Sequence, residues 1–63
     1  MAKYIVNGFP SDRIVNEIVK DVGSVRGAKI LFIKPLTIEA QFSNDGDKVV
    51  KILEDNGVSY TKR

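Results

Sequence analysis

The segment Ala28–Phe42, AKILFIKPLTIEAQF, most constrains what this chain can fold into. Its second arm alternates strictly. Leu36, Ile38, Ala40 and Phe42 are apolar, and Thr37, Glu39 and Gln41 between them are polar. That alternation belongs to a strand with one buried and one wet face. The first arm, Lys29–Ile33, is a nearly unbroken apolar run, and Lys34-Pro35 stands between the arms. Proline suits the first corner of a tight turn because its φ is already set. The segment therefore reads as a β-hairpin at the middle of the fold.

Around this hairpin the pattern is regular. Ala2–Val6 reads as a strand and Asn7–Pro10 breaks it. Ser11 is placed to cap a helix, with Asp12 in the first turn, where the helix dipole favours an anion. Ile14, Val15, Ile18, Val19 and Val22 recur at helical spacing. Gly23 is the expected stop, through a positive φ. After the hairpin, Ser43–Asp47 reads as a polar loop and cap. Val49, Val50, Ile52 and Leu53 then mark a second helix that stops at Gly57, and Val58–Thr61 is a last strand. The order is βαββαβ.

A shift of 34 places supports it, aligning Tyr4 with Ile38, Val6 with Ala40, Val15 with Val49, Ile18 with Ile52, Val19 with Leu53 and Gly23 with Gly57. Two strand–helix–strand units predict an α+β, ferredoxin-like split βαβ sandwich. It has a four-stranded antiparallel sheet, order 4-1-3-2, with both helices on one face. Residues 1–63 form one domain, with Tyr4, Val6, Val15, Ile18, Val19, Ile38, Ala40 and Leu53 as the predicted core. The other sheet face has no cover within the chain, and function is expected there.

Composition narrows the chemistry. Cysteine and histidine are both absent, so there is no disulfide, no thiolate or imidazole ligand, and no cysteine or histidine catalyst. Ser11, Ser24, Ser43 and Ser59 have no base to activate them, and the reading is not an enzyme. Asn44-Asp45-Gly46-Asp47 suggests calcium, but a calcium loop spreads its ligands over 12 residues and helix capping explains the run more simply. No metal and no cofactor are implied. The absence of cysteine fits a reducing compartment, and the expected location is cytoplasmic. No stretch suggests a membrane span.

Two resemblances emerge from these residues. Tyr4–Pro10, YIVNGFP, is similar to the first-strand motif of RNA-recognition domains. Val22–Val25 resembles the stretch after their first helix, and Lys34–Phe42 occupies the place of their basic-Gly-aromatic motif. The resemblance implies binding on the open face, where those domains stack bases on aromatic rings; here the matching outward positions are Ile5, Thr37 and Glu39. The layout also resembles the heavy-metal-associated domain, whose first-loop Cys-x-x-Cys is replaced by Phe9-Pro10-Ser11-Asp12. Without thiols the soft-metal chemistry has no ligands.

Charge and apolar exposure remain as guides. The helices and second cap carry four cations against seven carboxylates. Strands, other loops and the C-terminal end carry Lys3, Arg26, Lys29, Lys34, Lys62 and Arg63 against Glu39 alone. The expectation is an acidic helix layer and a basic sheet layer. In Lys29, Ile30, Leu31, Phe32 and Ile33, alternate side chains must face outward, either Ile30 with Phe32 or Leu31 with Ile33. Lysine at one outward and one inward position should therefore have opposite effects on folding.

The leading expectation is a protein-interaction module that binds or inhibits a partner protein through Lys29–Ile33 and the open face and acts as a homodimer paired through that strand or face. The alternative is RNA or single-stranded DNA binding through those six cations.

Overall fold

The computed structural model describes every residue from Met1 to Arg63. The elements are β1 (Ala2–Val6), α1 (Asp12–Val22), β2 (Ala28–Ile33), β3 (Leu36–Ala40), α2 (Ser43–Asp55) and β4 (Tyr60–Lys62). The sheet order is β2-β3-β1-β4 and every pairing is antiparallel. This is the expected ferredoxin-like βαββαβ topology, read from the opposite edge. Tyr4, Val6, Leu36, Ile38 and Ala40 from the sheet join Ile18 and Val22 of α1 and Val49 and Leu53 of α2 in one buried cluster. Both helices therefore cover the same sheet face. Val15 and Val19, expected in the core, are half-buried at its margin; Val22, Leu36 and Val49 take central places instead.

The repeat has a geometric counterpart. Tyr4 and Ile38, equivalent under the 34-residue shift, face each other directly across the two central strands. A pseudo-two-fold axis thus passes through the middle of the sheet. The helices follow it less closely. The buried pair of α2, Val49 and Leu53, is equivalent to Val15 and Val19, whereas α1 buries Ile18 and Val22.

The helix ends differ from the expected chemistry in two places. Ser11 caps α1, its hydroxyl accepting from the Ile14 amide at 3.3 Å. Gly23 keeps a right-handed φ of −61°, so it does not end α1 by turning left-handed. The helix closes in tightened turns instead. The Ser24 amide and hydroxyl both donate to the Asp21 carbonyl, at 3.1 and 2.7 Å. At α2, Gly57 does adopt a positive φ of 70°. The Val58 amide then bonds the Leu53 carbonyl and the Gly57 amide the Glu54 carbonyl, closing a Schellman cap. The run Ser43–Asp47, expected as a loop, is the first turn of α2, with Phe42 as its N-cap.

The hairpin forms where expected, but Pro35 takes the second corner of its turn after a cis Lys34-Pro35 bond. A bulge alters the first arm. Ile30 pairs with Ile38 and Phe32 with Thr37, leaving Leu31 as an extra residue on β2. Neither expected alternation therefore holds. Ile30 and Ile33 share the side of Ile38 and Leu36, and Leu31 and Phe32 are consecutive on the open side.

Candidate open-face interface

The uncovered sheet face is built in rows. In one, β2 contributes Lys29, β3 Glu39 and β1 Lys3, in register, and Arg63 follows directly after β4 beside Lys3. Lys3 and Arg63 exchange both backbone hydrogen bonds, at 2.8 and 2.7 Å. The Lys29 ammonium lies 3.7 Å from the Glu39 carboxylate, which is thus flanked by lysines on both neighbouring strands. The row holds three cations against one carboxylate, so a net positive charge remains after local pairing.

The adjoining row is apolar. Phe32 of β2 and Ile5 of β1 both stand opposite Thr37, with Leu31 next to Phe32 on the bulge. Thr37 is only 5% exposed, although it points away from the helices. Its neighbours shelter it, and its hydroxyl donates to the Pro35 carbonyl at 2.9 Å. Phe32 itself remains 63% exposed. An apolar surface of this kind, rimmed by charge, is the usual form of a docking site.

The residues singled out in the sequence separate in space. Of the apolar strand, only Leu31 and Phe32 belong to this face. Ile30 packs against the helix-side core, and Ile33 sits at the hairpin tip, half exposed. Of the six cations, Lys3, Lys29 and Arg63 share the row. Arg26 lines a shallow depression with Lys29 and Glu39 at its end. Lys34 lies in the turn at the opposite end of the sheet, beside Phe9 and Pro35. Lys62 points to the helix side, its ammonium 5.9 Å from the centre of the Tyr4 ring. Of the suspected calcium run, Asp45 is buried against Gly27, and no group of three or more acidic side chains converges anywhere in the chain.

All three phenylalanines face water; an outward Phe32 is one of the two expected alternatives, but nothing in the pattern marks Phe9 and Phe42 as exposed. Phe9 is 89% exposed in the β1–α1 loop, and Phe42 is 60% exposed at the start of α2. No helix is long and apolar enough to cross a membrane.

Fold and surface together define a small α+β module of ferredoxin-like topology, with one sheet face covered by helices and the other open. No family model matches the chain, and no curated protein or solved structure shows significant similarity to it.

Proposed function

We propose that the chain is a non-enzymatic interaction module that docks on a partner protein with its open sheet face. The observation that carries this reading is the exposed Phe32, set beside Ile5 and Leu31 and bordered by Lys3, Lys29 and Arg63. Branched aliphatic side chains next to one ring suit apolar side chains of a protein better than the flat faces of bases. The net positive row asks for an acidic rim on the partner.

A second copy is a weaker candidate for that partner. β2 is an edge strand, but its bulge interrupts the regular row of free backbone groups at Leu31. Two basic faces also repel each other. The observations favour a different, acidic protein.

The second reading is single-stranded nucleic acid, consistent with the likeness to RNA-recognition domains. Phe32 and three cations on one face favour it. The central strands, however, place Ile5, Thr37 and Glu39 where those domains stack bases.

The test is to isolate the partner with a tagged chain and rebuild the complex from purified components. Replacing Leu31 and Phe32 together by serine should weaken binding by about tenfold or more, with the circular dichroism unchanged. Chemical-shift changes should map to the open side of β1, β2 and β3. Unaltered binding by the double variant overturns the proposal. Binding confined to oligonucleotides, falling steeply with salt, supports the second reading instead.

A further inference from the structure

Tyr4 is 97% covered, being only 3% exposed, yet its hydroxyl donates to no protein group. No side-chain polar atom is both sealed from solvent and without a partner, so the hydroxyl is the part of the ring that reaches a surface. It reaches it beside Gly46, in the first turn of α2, where a Cβ would stand 2.5 Å from the oxygen. A cleft of about 380 Å³ opens there, lined by Tyr4, Ser43, Gly46, Lys62 and Arg63 among others.

This end of α2 lacks the usual capping group. Its N-cap is Phe42, which has no side-chain oxygen to offer, and the amides of Ser43, Asn44 and Asp45 donate to no backbone or side-chain acceptor. A helix start with free amides attracts anions through those donors and through the helix dipole. Lys62, held beside the Tyr4 ring, adds a full positive charge on the same side. The acidic groups nearby divide the space. Asp45 turns away and packs against Gly27, while Asp47 stands on the cleft wall. The lining also includes Met1 and Phe42, so the cleft has an apolar as well as a cationic part.

We propose that this cleft binds a small phosphate monoester. Its phosphoryl oxygens would accept from the Ser43 amide and the Tyr4 hydroxyl and pair with Lys62, and its organic body would lie against Phe42. Tyr4, Ser43 at the uncapped helix start and Lys62 come from three different elements, β1, α2 and β4, and line the same cleft. The site is on the helix side of the sheet, and Arg63 is the one residue it shares with the open-face interface.

The experiment is an NMR titration of the whole chain with phenyl phosphate, inorganic phosphate and phenol. Phenyl phosphate should shift the amides of Ser43–Gly46 and saturate, inorganic phosphate should bind more weakly, and phenol should leave these amides unmoved. Tyr4→Phe should weaken phenyl phosphate by about tenfold, the worth of one hydrogen bond to an ionised group. Since that hydroxyl bonds nothing in the protein, the same variant should melt no lower than wild type. Lys62→Ala should weaken binding and Asp47→Asn should strengthen it. Unmoved amides at millimolar phenyl phosphate, or an affinity unchanged by Tyr4→Phe, would overturn the site. The Leu31 and Phe32 serine variant should bind phenyl phosphate as wild type does, so a failure of the open-face reading is distinguishable from a failure of this one.

Discussion

Gly46 occupies a position where glycine ordinarily costs a helix about 1 kcal/mol relative to alanine. The Tyr4 hydroxyl explains its presence, because the ring is packed on all sides and cannot retreat from an added Cβ. Gly46→Ala should therefore destabilise the protein by roughly 1–2 kcal/mol through overpacking. In a Tyr4→Phe background the nearest atom becomes the ring carbon, 3.5 Å away, which is ordinary contact. There the same change should stabilise, by up to about 1 kcal/mol. Urea denaturation of the four proteins measures this reversal of sign, and equal effects in both backgrounds would show that the contact is not the cause. Sequence reasoning missed this place for a physical reason. Asn-Asp-Gly-Asp has the composition of a loop, and only a tertiary neighbour, 42 positions away in sequence, makes glycine the fitting residue in a helix.

Among the elements, β3 and β2 show what a strand can and cannot reveal. The strict alternation of β3 assigns each side chain to a face, and its register follows: Leu36, Ile38 and Ala40 inside, Thr37 and Glu39 outside. The run Ile30–Ile33 has four large apolar side chains and no period, so it carries no mark of the bulge. A bulge adds one residue to one strand, and every side chain beyond it changes face. The consequence is testable with lysine. Leu31→Lys and Phe32→Lys should both remain folded, because both positions lie on the open side. Ile30→Lys should unfold the chain, because it brings a charge against the core. Thermal melting followed by circular dichroism separates the cases. A cooperative melt for Ile30→Lys, or its absence for Leu31→Lys, would contradict the register. The helices were legible from their apolar stripes, and the start of α2 was not, since its first turn is polar and lacks a capping side chain.

At the scale of the whole molecule, stability rests on one small core. Ile18 is fully buried between the helices and the sheet. Ile18→Ala should cost roughly 2–5 kcal/mol, against the ~5–15 kcal/mol typical of a folded domain. A clear fall in the urea midpoint is expected, and an unchanged midpoint would mean that the α1 face is not the one packed on the sheet. The topology could be read from the sequence because the 34-residue repeat sets central strands and helices in the same order twice. The open face could be foreseen as a place, but not its composition, since the separation of Lys62 and Lys34 from the other cations depends on strand register and turn position.

One pair of residues extends past stability and binding. Tyr60 of β4 meets Tyr4 edge-on, with ring centres 5.8 Å apart, and the chain contains no tryptophan. Its near-ultraviolet spectrum therefore comes chiefly from two rings in contact, one in a central strand and the other in the three-residue edge strand. Detachment of β4 alone would change this tyrosine signal while leaving the helical signal intact. The protein thus carries its own optical gauge of how firmly its last strand is attached.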